Sequence, residues 1–295
     1  MVGPLDVVRL KGLMDRTIGR PEIRIGLIDG PVLATHSDLA GQHIGEVPGN
    51  HSGTCAIAKS IACLHGTFVA GILVARRGSV APAICPGCTL LVRPIFPETA
   101  DGNGQMPRAT PEELAEAIVD SVNTDARVIN LSAALIQGSA RGESKLEEAL
   151  NYAAHRGTIT VAAAGNQGTV GGTAITRHPS VMPVAACNMQ GRPLNESNLG
   201  SSIGRRGLSA PGEDVTSLGT DGKPQTLGGT SAAAPFVTGA IALLWSEFPG
   251  ASAARISLAL TQASRPERRT VVPPLLDAWA AYQVLASAHS RRRAS

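Results

Sequence analysis

GGTSAAAPFVTGAIALLW, residues 228–245, is an apolar run with the length of a core helix, opened by two glycines, a threonine and a serine. A hydroxyl residue just before a helix accepts a hydrogen bond from one of the orphan N–H groups of the first turn. A proline near that turn is tolerated because its missing N–H would have had no partner. Residues 228–245 therefore read as a capped, buried helix with Pro235 near its start. Taken alone, that reading describes packing and no chemistry.

The rest of the chain supplies the architecture around this helix. Of 295 residues, 43% are hydrophobic, 17% charged and 3% aromatic, with 33 glycines. Such a length can bury a substantial core. With few aromatics, that core rests on Ala, Val, Leu and Ile, which suits a buried parallel sheet covered by helices. EIRIGLID (22–29), TLLVRPIF (89–96), ARVINLSAA (126–134), TITVAAAGN (158–166) and VMPVAAC (181–187) read as strands. Between them HGTFVAGILVARR (65–77) reads as an apolar helix and ESKLEEALNYAAHRG (143–157) as a helix closed by a left-handed Gly157. TPEELAEAIVDSVN (110–123) combines a cap at Thr110, a first-turn Pro111 and a capping-box acid at Glu113. LLDAWAAYQVLASAH (275–289) reads as a closing helix. Strand and helix alternating in this way predict an α/β fold with right-handed crossovers and a largely parallel central sheet, helices on both faces. One domain is expected over 1–290, followed by an Arg-rich tail at 291–295.

Composition also excludes several roles. The net charge is only +3, and the basic clusters at 265–269 and in the terminal RRRAS lack interleaved aromatics, so no nucleic-acid partner is expected. No apolar stretch reaches the roughly 18 residues of a membrane span. The first 30 residues mix charges into their apolar positions, unlike a signal peptide, so a cytoplasmic protein is expected. Of the five cysteines, Cys85 and Cys88 have the spacing of a redox or zinc half-site, but the other half is missing. Cys55 and Cys63 lie too far apart for a standard zinc knuckle. Free thiols or a local structural bridge are the readings left, pairing between the two pairs stays open, and no metal or other cofactor is expected.

In an open parallel sheet, ligands bind beyond the carboxyl ends of the strands. Asp29, Ser132 and Asn166 end three of the expected strands, while His65 and Ser231 begin two helices, so all five fall on one rim. An acid, an imidazole and a hydroxyl gathered there suit nucleophilic acyl transfer. A serine hydroxyl needs a neighbouring imidazole to take its proton, and the imidazole needs a carboxylate to fix its tautomer. An asparagine amide and a backbone N–H at a helix start can stabilise the developing oxyanion. Each residue also has a plain structural reading: Asp29 can open a turn, His65 can be a satisfied helix residue, and Asn166 can shape a tight loop. What favours the chemistry is the coincidence of all four in this order, with glycines beside three of them.

The four segments resemble those of the subtilisin-like serine proteases. IGLIDGPV is similar to the aspartate motif, HGTFVAGIL to the histidine motif, AAAGNQG to the oxyanion asparagine motif and GGTSAAAPFVTGAIALL to the nucleophile motif. The resemblance covers nearly the whole chain and implies a three-layer subtilisin-like fold. It implies a triad of Asp29, His65 and Ser231, and an oxyanion hole made by Asn166 and the Ser231 N–H. The family binds peptides as an added strand between two backbone edges. Here those walls correspond to Gly102, Asn103 and Gly104 on one side and Ser132, Ala133 and Ala134 on the other. Ala134 stands where the family commonly has glycine, which implies that large residues are disfavoured at the cleaved position. Many relatives bind calcium, but no carboxylate cluster in this sequence suits it. Only 28 residues precede Asp29, too few for a signal and a prodomain, and this points to narrow specificity. DGPV and APAICPGCTLLVRPIF resemble the PatA-like branch of cyanobactin-type pathways, which implies a precursor-peptide substrate and removal of its leader. The alternatives are a general degradative protease and a non-catalytic peptide-binding scaffold.

Overall fold

Period-2 alternation decides how the sheet is buried. In a computed structural model, which describes residues 3–99, 108–132, 140–263 and 270–293, the first strand, β1 (Arg24–Asp29), sends Ile25 and Leu27 into one core and Ile28 into another. β4 (Val128–Leu131) does the same, with Val128 on the first side and Ile129 and Leu131 on the second. A strand whose successive residues all need burial fits only a sheet covered on both faces.

With β2 (Ile44–Glu46), β3 (Thr89–Pro94), β5 (Ile159–Ala163), β6 (Val181–Cys187) and β7 (Leu208–Pro211), the sheet has the order β2-β3-β1-β4-β5-β6-β7. Every pairing in it is parallel, with Leu27 opposite Val92 on one side and Asn130 on the other. From β1 the chain first builds outward to β3 and β2, then returns to add β4. The carboxyl ends of β1 and β4 therefore flank a topological switch point, where open α/β sheets bind ligands.

The first face carries α1 (Pro4–Val7), α2 (Lys11–Met14), α3 (Ile61–Val74), α8 (Thr230–Glu247), α9 (Ala253–Ala263) and α10 (Ala278–Arg293). The second carries α4 (Pro111–Asn123), α5 (Ala140–His155), α6 (Ala174–Arg177) and α7 (Ser201–Arg206). An antiparallel hairpin, β8 (Val215–Leu218) with β9 (Pro224–Leu227), packs over α3, where Ser217 Oγ donates to the Phe68 carbonyl at 2.7 Å. Covered by the sheet on one side and the hairpin on the other, α3 is buried almost throughout. That is why its sequence shows no polar stripe.

The expected α/β architecture with helices on both faces is the observed one. Its boundaries differ where a side chain intervenes. α3 begins at Ile61 rather than near His65 because the Ser60 hydroxyl accepts from the Cys63 N–H at 3.1 Å and caps the helix. The Thr110 capping box forms as read, with Glu113 returning a bond to the Thr110 N–H at 2.8 Å. Pro235 needs a correction. It is the sixth residue of α8, inside the helix, where an N–H would have bonded back to the Ser231 carbonyl. The proline therefore frees that carbonyl instead of filling a position that lacked a partner. No helix among the described residues is long and apolar enough to cross a membrane.

Candidate active site

Asp29 ends β1 and is fully buried; His65 lies in the second turn of α3 and is 9% exposed. Two adjacent glycines bring these elements together. A Cβ on Gly30 would overlap the Ala62 carbonyl oxygen, and one on Gly66 would run into the carbonyls of Gly30 and Pro31. Only backbone without side chains allows β1 and α3 to approach this closely.

At this contact His65 Nδ1 stands 2.7 Å from Asp29 Oδ1, which also accepts the Gly30 N–H at 2.6 Å. An ionised carboxylate only accepts, so Nδ1 carries the proton and Nε2 of the neutral ring offers a lone pair. The second carboxylate oxygen, Oδ2, is buried with no partner among the described residues. A buried, incompletely satisfied anion favours positive charge beside it. Accordingly, burial acts to lower the His65 pKa, but the charge and hydrogen bond of Asp29 outweigh it and hold the imidazole above its ordinary value.

A second anchor holds the start of α8. Asn166 follows β5, and its Oδ1 accepts both the Thr230 N–H at 2.8 Å and the Thr230 hydroxyl at 2.9 Å. A backbone N–H can only donate, so the amide orientation is fixed, and among the described residues neither Nδ2 hydrogen has a recorded acceptor. The Thr230 hydroxyl in turn accepts the Gly165 N–H at 3.1 Å. Gly229 precedes the helix at φ +97°, and a Cβ there would stand 2.8 Å from Asn166 Nδ2, so no other residue suits the position. Ser231 is half-buried, and its N–H lies among the helix-start donors that lack intrahelical partners.

The two anchors sit on β1 and β5 with only β4 between them, a separation of two strand spacings, about 10 Å. α3 and α8 lie side by side across that gap. Between Ser231 Oγ and the His65 ring the structure records no hydrogen bond among the described residues. Without substrate, such contacts are commonly long. β4 closes the floor: buried Ser132 accepts from Asn130 Nδ2 at 3.1 Å, and Asn130 Oδ1 accepts from Thr238 of α8 at 2.8 Å. The other expected wall residues, Gly102, Asn103, Gly104, Ala133 and Ala134, lie outside the described residues.

Sequence reasoning passed over Thr230, Asn130, Thr238 and Asn198. Asn198, almost fully buried, accepts the Gln167 and Thr169 N–H groups at 3.1 Å and donates to the Ala164 carbonyl at 3.2 Å, fixing the loop that carries Asn166. Thr230 was visible beside the serine. The other three lie in apolar or loop segments where nothing local marks a polar partner.

Cys55 and Cys63 form a disulfide, the local bridge left open by the sequence, while Cys85, Cys88 and Cys187 are buried free thiols. Burial, with help from Glu213, pushes the Cys187 pKa up to about 12, so it supplies no thiolate. Cys85 is raised well above the ordinary thiol value by burial and by its contact with Cys88.

Comparison with known proteins gives consistent matches. The profile of the subtilase family, peptidase S8, matches residues 20–279. The thermostable alkaline protease of Halalkalibacterium halodurans is 32% identical over 231 residues, covering 77% of this chain and 57% of that one, so the chain spans just over half of that relative. Among solved structures, a variant of the protease domain of PatA superposes with a TM-score of 0.83 at 31% identity, over 92% of this chain and 97% of that one. The prenylagaramide maturation protease PagA superposes with a TM-score of 0.80 at 29% identity, over 94% and 98% respectively.

Proposed function

The chain belongs to the subtilase family, and from that premise we propose that it is a serine endopeptidase working through an acyl-enzyme, with a precursor peptide as its substrate. The observation that carries this reading is the 2.7 Å contact between His65 Nδ1 and Asp29 Oδ1 at the switch point of the sheet. It fixes the tautomer in which Nε2 can take a proton from Ser231 Oγ as that oxygen attacks a peptide carbonyl. Asp29 then stabilises the imidazolium. Asn166 Nδ2 and the Ser231 N–H receive the negative charge of the tetrahedral intermediate. On collapse, His65 returns its proton to the leaving amine, and water hydrolyses the ester by the same route in reverse.

Three features support catalysis over a peptide-binding scaffold: an intact set of four residues, an imidazole held above its ordinary pKa, and a Ser231 N–H with no partner recorded among the described residues. The precursor substrate is supported by the likeness to PatA and PagA, the second of which is a maturation protease by name. A fluorophosphonate probe tests the chemistry. It labels Ser231, and Ser231→Ala abolishes labelling and lowers turnover by on the order of 10⁶-fold; undiminished labelling of that variant rejects the mechanism. Casein tests the specificity, since digestion at the rate of a candidate precursor peptide favours a general degradative protease instead.

A further inference from the structure

We propose that Cys55, Cys63 and Glu98 form a site for a thiophilic divalent cation of the zinc class, which opens when the Cys55–Cys63 disulfide is reduced. One ligand atom from each of the three side chains lies within 4.8 Å of the others. The cysteine Cα atoms are 5.6 Å apart. Two thiolates on one tetrahedral zinc stand about 3.8 Å from each other, from Zn–S bonds of about 2.3 Å. Parting two sulfurs from a disulfide bond of about 2.05 Å to that distance takes under ~1 Å of movement by each. Side-chain torsions can absorb it with the backbone in place.

Glu98 is already oriented for the task. Its Oε2 accepts the Ala56 N–H at 2.8 Å, and its Oε1 accepts the Ile57 N–H at 2.9 Å and the Ser60 hydroxyl at 3.3 Å. A carboxylate has about four acceptor sites, so these bonds leave capacity for a metal while acting as the outer contacts that hold a ligand in place. Cys63 is buried, whereas Cys55 and Glu98 are half-buried, which gives the ion a path in and water a fourth coordination position. Two thiolates with a carboxylate suit zinc and not calcium, which takes oxygen ligands.

The chemistry balances with a dithiol reductant. The dithiol transfers two electrons to the Cys55–Cys63 bond, becomes a disulfide itself and leaves two cysteine thiols. The cation then displaces their two protons. The disulfide ties the first turn of α3, two residues ahead of His65, to the loop at Cys55, and the metal clip would add Glu98 from the segment that follows β3. An oxidising compartment favours the disulfide and a reducing one the metal clip, so the histidine helix is held in both.

Cobalt titration tests the site. The protein is reduced with dithiothreitol, freed of it anaerobically and titrated with Co²⁺ alongside the oxidised protein. Reduced wild type is expected to bind one equivalent with a thiolate-to-cobalt charge-transfer band, and oxidised protein to show none. Cys63→Ser, checked for folding by circular dichroism, is expected to lose the band. Glu98→Gln keeps the disulfide for folding and is expected to bind at least about tenfold more weakly once reduced. Absence of the band in reduced wild type overturns the proposal. So does a band that survives Cys63→Ser, which would assign the ion to Cys85 and Cys88, or undiminished binding by Glu98→Gln.

Discussion

The helices carrying His65 and Ser231 begin in opposite ways. α3 has a serine cap, a disulfide at its first turn and a glycine-to-glycine contact with β1, and its histidine is buried. α8 has no side-chain cap at Gly229, is held at Thr230 by an asparagine from another strand, and leaves its serine half-buried. The difference follows from what each end must do. A base needs a fixed tautomer and orientation, so its helix start is satisfied internally. In the proposed mechanism the helix start at Ser231 offers that residue's N–H to a developing oxyanion, and an ordinary cap side chain would occupy it. On that proposal the missing cap at Gly229 belongs to the site.

Of the two anchors, breaking the first is expected to have the larger effect. Asp29→Asn keeps the size of the side chain but loses the tautomer and the charge, and kcat falls by about 10⁴-fold. The pH profile sharpens the point. The base must be neutral, so kcat/KM rises as pH climbs through the His65 pKa, which lies above an ordinary imidazole value of about 6.5. Removing the Asp29 charge leaves the lowering effect of burial, so the acid limb of the variant moves to lower pH. An unmoved limb would detach His65 from the base role.

At the second anchor, Asn166→Ala is expected to lower kcat by about 10²- to 10³-fold with little change in KM, read by steady-state kinetics on a peptide substrate. Gly30→Ala tests the contact that sets the first anchor. Its Cβ meets backbone, which cannot swing aside, and a loss of about 3 kcal/mol is expected in denaturant unfolding. Smallest is Thr230→Val, which keeps the shape but loses the acceptor for the Gly165 N–H and the hydroxyl bond that orients Asn166. About 1 kcal/mol for that bond corresponds to a roughly fivefold loss in kcat. A rise in KM larger than the fall in kcat would instead give Thr230 a part in binding.

The two regions also differ in how far the sequence revealed them. α4 was legible to the residue at its start because its capping box is local, three residues wide, and its exposed face is polar. The start of α3 was misplaced because its residues are apolar on every side, and the hairpin that buries its outer face lies more than a hundred residues away in the chain. β2 and the β8–β9 hairpin escaped notice: they are three or four residues long, and β9 alternates between exposed and half-buried positions. Among site residues, Asp29, His65, Asn166 and Ser231 stood out through chemistry combined with neighbouring glycines. Asn130 and Thr238, 108 positions apart, carried no such mark.

By itself the sequence determined the covered parallel sheet, through apolar runs flanked by turn residues, and the identity of the four chemical groups on one rim. Both depend on residue type and short-range spacing, which a linear chain records in full. Only the tertiary structure decided which carboxylate oxygen meets the imidazole, which way the Asn166 amide points, that Pro235 lies inside its helix, and that Cys55 pairs with Cys63. Those outcomes rest on contacts between distant segments whose directionality exists only once the backbone has closed around them.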